Sequence, residues 1–499
     1  MARIRLACLA AFAAACGGAG QPAAVGSVAP DGAVGPADAG SADAGTPTQS
    51  TVTVSVAGHG TGTVSMVGAS TGDCTSTCSI QTGPGGMLEL TAKPSDGSRF
   101  LAWKGCPAAD GATCSLATVP GAAAVSANFE LIPVPPATCA QLTPTARPAA
   151  PTVFSVPVRQ PGDDTCEPGT SDGSGVILVH YNYDFFPGGS DLWTVKPDAS
   201  GSTEFRKSTF VVDLVGEQTG FEGGTWFQNF ASIALFTEQG VSQTEDVLSE
   251  PSMPVSVLPR TVTDPGGGIL VANADFGSAS TLNAQSYTPA AALRWSFDLP
   301  AHAVVAGLGT DTAGYTLVVW QLESDRPFGP LTGQWIDPLG NGGPSFAFDI
   351  GSVAYALYPL VEGGFFVQRF TALASDQVVT DWRGKVDSNS TLLTSAPDWL
   401  VKQSAVAVKL IHGRSGYAVT PLIATPVAPC AQQLSIVDAS GNTCGSFSFP
   451  IAAESCTPAP LTIGIDGTVI AQLPTDLEKT DPANRPSTCT WQWWSGFLK

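Results

Sequence analysis

Hydrophobic and polar residues after position 170 recur in short strand-like runs, each led by a glycine. The runs are rich in β-branched and aromatic residues, which suit a pleated, half-buried strand. Seven runs begin, at steps of 49, 44, 46, 50, 52 and 51 residues, at Gly175, Gly224, Gly268, Gly314, Gly364, Gly416 and Gly467. The spacing predicts seven repeated units of several strands each.

A period of about 40 to 50 residues with several strands per unit is typical of a β-propeller, in which each unit is one blade. We therefore expect an all-β chain: a small disulfide-stapled β module, then a seven-bladed propeller over residues 175–499. Its resemblance to known propellers is one of outline only. Stacked β-sandwiches could produce similar spacings and are the alternative.

Pairs of aromatic residues two positions apart recur late in the units. Spacing by two places both rings on one face of a strand, so they should wedge between neighbouring blades. The pairs are Trp295 and Phe297, Phe346 and Phe348, Phe447 and Phe449, and Trp491 and Trp493. Trp494 extends the last pair, and the cluster could instead form a stacking platform for sugar. We favour packing.

Residues 51–130 have a different pattern, in which Thr51–Val56 and Thr63–Val67 alternate at strand period around the turn Gly58-His59-Gly60. This predicts a β-hairpin. No helix or Lys-Ser pair follows the glycines, so a phosphate-binding loop is not expected.

The same segment resembles the divergent internalin B-repeat family. The similarity is carried by Gly60-x-Gly62-Thr63-Val64, Cys74-x3-Cys78, Leu90-Thr91-Ala92-x-Pro94, Trp103-x-Gly105-Cys106 and Ala127-x-Phe129. It implies a small β-rich, non-catalytic module of the kind found in bacterial surface proteins. It also implies that Trp103 is a core residue beneath disulfide-stapled loops.

The N-terminus is typical of an export signal, since Arg3 and Arg5 precede an apolar stretch that ends at Cys16. Ala13-Ala14-Ala15-Cys16 resembles a bacterial lipobox, so residues 1–16 are interpreted as a lipoprotein-type signal peptide with Cys16 as the lipidated residue. Ordinary signal-peptidase cleavage is the alternative. We expect residues 17–50, rich in Ala, Gly and Pro, to be a disordered linker.

Residues 131–174 contain nine prolines and are predicted to be a semi-rigid linker. Charged residues make up only 13% of the chain, and the net charge is −20. This charge disfavours nucleic acid as a partner, because phosphates would be repelled. We expect contact with membrane only through the lipid, and a monomer.

Cysteine usage agrees with export, because an even number of cysteines in an exported chain predicts disulfides. The ten after Cys16 are Cys74, Cys78, Cys106, Cys114, Cys139, Cys166, Cys430, Cys444, Cys456 and Cys489. Clustering favours local pairs, although connectivity does not follow from sequence: 74 with 78, 106 with 114, 139 with 166, 430 with 444, and 456 with 489.

Catalytic motifs are weak in this chain. The four histidines, His59, His180, His302 and His412, share no metal-binding motif. The acidic turn Asp311–Gly314 lacks the alternating spacing of a calcium loop. We expect no catalytic residue, metal or cofactor.

The preferred interpretation is a non-catalytic lipoprotein, exported and anchored to the outer membrane or cell surface, whose propeller binds protein or glycan. One alternative is an envelope polysaccharide hydrolase or lyase that uses carboxylates at the propeller channel, because such pairs meet in space rather than in sequence. The other is a structural adhesin. The sequence leaves open whether the chain is an enzyme, and we favour the interpretation that it is not.

Overall fold

The computed structural model describes residues 50–498, and Gln49–Lys499 form one compact unit. The residues inside that range that it does not describe are 76, 84, 120, 146, 158–164, 172–175, 183–188, 208–210, 221–223, 230–231, 238–239, 247–259, 266–267, 273–282, 289–292, 323, 325–328, 351–353, 373–377, 388–389, 392, 402–405, 412–414, 422–430, 451–460, 465 and 474–487. The predicted signal peptide and the linker of residues 17–50, except Ser50, lie outside the described residues.

The first part of the unit is a module of two sheets packed face to face. The strands are β1 (Ser50–Gly58), β2 (Gly62–Gly68), β3 (Gly72–Cys74), β4 (Thr77–Thr82), β5 (Met87–Pro94), β6 (Ser98–Lys104), β7 (Ala108–Asp110), β8 (Thr113–Ala117) and β9 (Gly121–Leu131). One sheet has the order β4-β1-β9-β6 and the other β3-β2-β5-β8-β7. Alternate residues such as Val52, Val64 and Leu90 point into a shared core, and Trp103 packs against it as predicted.

A connector leads from the module to a ring of blades. It contains the short helix α1 (Cys139–Leu142) and then strand β10 (Thr152–Pro157).

The first three blades are four-stranded antiparallel sheets whose strands follow in chain order. Blade 1 contains β11 (Thr165–Ser171), β12 (Val176–Asn182), β13 (Gly189–Val195) and β14 (Ser202–Lys207). Blade 2 contains β15 (Val211–Gly220), β16 (Gly224–Asn229), β17 (Ser232–Thr237) and β18 (Gly240–Asp246). Blade 3 contains β19 (Arg260–Thr263), β20 (Ile269–Ala272), β21 (Asn283–Tyr287) and β22 (Leu293–Asp298).

Blades 4 to 6 continue the pattern. Blade 4 contains β23 (Ala303–Thr310), β24 (Thr316–Leu322), β25 (Pro330–Ile336) and β26 (Phe346–Ile350). Blade 5 has three strands, β27 (Ala354–Pro359), β28 (Phe365–Ala372) and β29 (Val378–Val386), with one further bridge between Lys385 and Thr394 at its outer edge. Helix α2 (Asp398–Val401) precedes blade 6, which contains β30 (Val406–Ile411), β31 (Gly416–Pro421), β32 (Ala431–Val437) and β33 (Thr443–Pro450).

Blade 7 joins the two ends of the ring. Its three inner strands are β34 (Leu461–Ile463), β35 (Val469–Gln472) and β36 (Thr488–Trp494), and its outermost strand is β10, which pairs antiparallel with β36. Innermost strands of successive blades contact one another, and those of blades 6 and 7 are joined by a hydrogen bond from Lys409 Nζ to the Ile463 carbonyl. The prediction of a seven-bladed propeller is confirmed, and stacked sandwiches after residue 170 are excluded.

The repeated glycines mark the second strand of each blade. Gly224 and Gly416 begin β16 and β31, and Gly268 and Gly364 directly precede β20 and β28. The period was therefore correct, but each blade begins one strand earlier than its glycine. The predicted linker of residues 131–174 is corrected accordingly, because it contributes β10 to blade 7 and β11 to blade 1.

Hydrophobic cores lie between adjacent blades, where the paired aromatic residues were expected. Trp295 and Phe297 belong to the core between blades 3 and 4, and Phe348 to that between blades 4 and 5. Trp491 and Trp493 pack between blades 7 and 1 and are fully buried. These tryptophans are therefore packing residues and form no exposed platform for sugar.

Ring closure by β10 can be tested with two valines of the same strand. Val156 is 2% exposed and packs against the tryptophans of β36, whereas Val153 is 53% exposed. We expect Val156→Asp to lower the free energy of unfolding by about 3 kcal/mol, because a charge would be buried without a partner. Val153→Asp, the control, should cost under about 0.5 kcal/mol. Urea unfolding followed by tryptophan fluorescence measures both, and equal losses would contradict a closing role for β10.

Candidate functional site at the junction of module and ring

One face of the ring is formed by the turns between the first and second and between the third and fourth strands of the blades. We call it the turn face, and among its described turns are residues 311–315, 337–341, 360–364 and 438–442. The module and the connector both contact this face. The buried charged side chains discussed below, Asp264, Arg294 and Asp311, lie on this face.

Between blades 4 and 5 and between blades 5 and 6, described turns between first and second strands are hydrogen-bonded to the next blade. The Asp311 carboxylate accepts hydrogen bonds from its own turn at Ala313 N, 2.9 Å, and from Gly364 N of the next blade, 2.9 Å. Val361 N donates to the hydroxyl of Tyr417 in blade 6, 2.8 Å. Thus Asp311, considered above as a calcium ligand, ties its turn to the neighbouring blade.

His59 enters this network from the module. It lies in the loop between β1 and β2, flanked by Gly58 and Gly60, and only 1% of its surface is exposed. The predicted β-hairpin of these two strands is wrong, because β1 pairs with β4 and β9 in one sheet and β2 pairs with β3 and β5 in the other. Its Nδ1 lies 3.1 Å from Nη1 of Arg294 and 3.3 Å from Oδ2 of Asp264, both in blade 3. The module therefore places a histidine against a buried ion pair of the ring.

Glycines make room for this contact. A Cβ atom at Gly268 would lie 2.6 Å from the Asp264 carboxylate and 2.6 Å from Arg294, too close for any side chain. Gly314 of blade 4 has a φ of +89°, and a Cβ there would lie 2.9 Å from the His59 ring. Two of the seven repeated glycines thus line the notch that receives His59, between blades 3 and 4.

The charges at this notch are strongly coupled. Burial alone would raise the pKa of Asp264, but the Arg294 guanidinium and His59 outweigh it and hold that pKa well below its usual range. Burial, and then the charge of Arg294, lower the pKa of His59, against the opposing influence of Asp264 and Asp311. Asp264 is therefore ionised and His59 neutral at neutral pH, and Asp264 is balanced by Arg294.

Nε2 of His59 and Nε of Arg294 are buried and have no hydrogen-bond partner among the described residues. A buried unpaired polar atom carries a free-energy penalty of about 1–3 kcal/mol. Packing of the module against the ring does not by itself explain why two unpaired polar atoms are buried here. Such groups are more often found where a contact has a further role.

The connector is fixed to the same face at blade 6. Cys139 of α1 forms a disulfide with Cys444, and the Cα atoms are 4.8 Å apart. Leu142 is fully buried over Gly416, where a Cβ would lie 2.6 Å from its methyl groups. Asp438 lies beside the two sulfurs, but because these are bonded to each other they offer no thiolate pair to a metal.

The disulfide predictions have mixed outcomes. The pairs Cys74–Cys78 and Cys106–Cys114 are confirmed within the module. The local pairs 139–166 and 430–444 are wrong, because Cys139 pairs with Cys444 across 305 residues. Cys489 is disulfide-bonded, and its predicted partner Cys456 lies outside the described residues, as do Cys16, Cys430 and the side chain of Cys166.

The structure places the other histidines apart from the junction or outside its description. His302 is exposed beside the start of β23, the side chain of His180 is not described, and His412 lies outside the described residues. Sequence reasoning missed His59, Asp264 and Arg294. The available signal was a histidine between two glycines in a turn between two strands, which is a position that solvent usually surrounds.

Among known families, residues 50–133 match the divergent InlB B-repeat domain, as the sequence motifs indicated. No curated protein matches the chain. Among the described residues, no helix has the length and apolar character needed to cross a membrane.

Similar solved structures include three propeller-sized chains. The β-propeller domain of the Trilobed protease from Pyrococcus furiosus is 10% identical, with 67% of this chain and 94% of that chain covered and a TM-score of 0.39. The Neurospora crassa Pan2 WD40 domain is 10% identical, with 68% and 98% covered and a TM-score of 0.33. A Bacteroides caccae protein of unknown function is 12% identical, with 56% and 94% covered and a TM-score of 0.30. The propeller assignment rests on the strand order above.

The propeller fold and the repeat module are compatible with a binding or surface role. The module and its disulfides fit an extracellular or envelope protein.

The disulfide between connector and ring leads to a direct chemical test. Peptide mapping of the oxidised chain without reduction should yield one linked fragment that contains Cys139 and Cys444. The linkage should disappear after reduction, and the fragments of Cys74–Cys78 and Cys106–Cys114 serve as internal controls. A fragment linking Cys139 to Cys166 would contradict the structure of the connector.

Proposed function

We propose that this chain is a lipid-anchored envelope protein that displays a propeller for binding a protein or a glycan. This proposal is supported by one observation. The module contacts the turn face of the ring through His59, and the connector is attached to the same face through the Cys139–Cys444 disulfide. The opposite face, where second and third strands are joined, is then the side available to a partner. This arrangement supports a role in display.

The position of the N-terminus in the module agrees with such a role. Ser50 begins β1 at the end of the module away from His59, and its hydroxyl donates to the carbonyl of Val119 at that same end. A chain that runs from Cys16 through the linker of residues 17–50 therefore joins the module on the side away from the ring. This position of Ser50 supports attachment through the N-terminal side of the module, and we propose that the protein acts as a monomer.

The carboxylates described on the turn face do not favour the hydrolase alternative. Asp264 is paired with Arg294, Asp311 accepts backbone N–H groups, and Asp466 accepts from Thr468 and from Ser171 of blade 1. Each is committed to holding a turn, whereas glycoside hydrolysis needs two carboxyl groups free to face a sugar. A binding role requires no such pair.

The anchor is tested by labelling in the bacterium that produces the protein. We expect incorporation of radiolabelled palmitate into the wild-type chain and its loss in Cys16→Ala, because the thiol of Cys16 would carry the lipid. Cys8→Ala, a change of another cysteine in the same segment, is the control and should keep the label. Equal labelling of the wild type and Cys16→Ala would remove the anchor from the proposal.

The binding role is tested on an array of bacterial envelope glycans with the Cys16→Ala chain, which lacks the lipid. We expect retention of specific glycans with no new reducing ends and no unsaturated product, since binding leaves the polysaccharide intact. New reducing ends would favour a hydrolase, and unsaturated ends a lyase. Absence of glycan retention would contradict the glycan form of the proposal.

A further inference from the structure

The notch between blades 3 and 4 differs from the other described junctions of the turn face. Between blades 4 and 5, Thr312 donates to the Leu360 carbonyl at 2.9 Å, so ring residues alone join the turns. Between blades 3 and 4, the imidazole of His59 lies between Asp264 and Gly314. The module thus provides the group that lies between these two turns.

Protonation of His59 would disrupt this contact. The Arg294 guanidinium has only N–H donors, so a hydrogen bond across the 3.1 Å to Nδ1 requires that Nδ1 have a free lone pair. An imidazolium has a proton on both nitrogens and would face Arg294 with a donor and a like charge. Nε2, which has no described partner, would gain none.

The surrounding carboxylates do not outweigh the cost of burying a proton on His59 beside Arg294. Three charged groups face the imidazole: Asp264 and Arg294 of blade 3, and Asp311 of blade 4. Asp264 is already neutralised by Arg294, and Asp311 accepts N–H groups from Ala313, Tyr315 and Gly364. Protonation would bury a further charged group without solvent access and 3.1 Å from Arg294, and this cost outweighs the attraction of Asp264 and Asp311.

We propose that His59 is an acid-released latch, which holds the module on the ring at neutral pH and lets the loop between β1 and β2 leave the notch when the imidazole takes up a proton.

The direction of the pH dependence follows from proton linkage. Burial and Arg294 hold the pKa of His59 in the docked state below its ordinary value of about 6.5, so the released state binds the proton more readily. Docking is then fully stable above pH of about 6.5 and weakens as the pH falls toward the lower docked pKa. The docking equilibrium should change by up to about tenfold for each pH unit in that interval.

Release would leave the module tethered. Only residues 132–138 separate the end of β9 from Cys139, which is bonded to Cys444 of blade 6. The loop between β1 and β2 would therefore move away from blades 3 and 4 while the connector stays on the ring. The consequence is exposure of Asp264, Arg294 and Gly314 on the turn face.

Hydrogen exchange on the full chain tests the latch. Peptides covering 264–272 and 311–320 are followed at pH 7.5 and 5.0, with rates corrected for the intrinsic effect of pH. In the wild type we expect exchange at least about tenfold faster at pH 5.0. In His59→Asn it should not depend on pH, because the amide oxygen can accept from Arg294 but cannot be protonated in this range. His302→Asn, at an exposed histidine with a φ of +62° that Asn tolerates, should behave as wild type.

A second measurement keeps the test decisive if His59→Asn fails to dock. The imidazole of His59 is titrated by NMR in the wild-type chain, and its protonation should occur over the same pH interval as the loss of protection. Wild-type protection that does not change between pH 7.5 and 5.0 would overturn the latch. So would protonation of His59 while both turns stay protected.

Discussion

Closure of the ring by β10 is the constraint on which the rest of this structure depends. Blade 7 takes three strands from the C-terminus and its outermost strand from residues 152–157, so the ring is complete only when the chain ends meet. Among the described residues, hydrophobic cores then lie between blades 3 and 4, 4 and 5, 5 and 6, 6 and 7, and 7 and 1. Since β10 directly follows the connector, the same pairing also fixes where the connector and the module can reach on the ring.

The turn face shows how a polar network complements those apolar cores. Asp311 and Thr312 tie blade 4 to blade 5, the Tyr417 hydroxyl ties blade 5 to blade 6, and Asp466 ties blade 7 to blade 1. Burial raises the pKa of Tyr417, so its hydroxyl stays protonated. At blades 3 and 4 the described link passes through His59 instead. A module that sequence similarity marks as separate is thus part of the polar network of the ring.

Much of the fold followed from the sequence, because its signals are local and repeated. Glycine before a β-branched run marks the second strand of each blade, and aromatic residues two apart mark a face between blades. The phase of the blades and the closing strand did not follow. Val153 and Val156 lie among prolines, and this composition favoured a linker. Their partners in β36 are more than 300 residues away in the sequence. The Cys139–Cys444 pair and the approach of His59 to Asp264 depend equally on the assembled ring, so no local pattern announces them.

The disulfide between α1 and blade 6 also determines how mechanical load would enter the ring. Cys139 precedes β10 in the chain, so a pull from the N-terminal side reaches the sulfur bridge before it reaches the closing strand. Force then passes covalently into Cys444 on β33 and spreads through the hydrogen bonds of blade 6. A pull along the chain could separate β10 from β36 one hydrogen bond at a time. The disulfide shields β10 from this force. The disulfide lets the chain carry tension at its N-terminal side without opening its own ring.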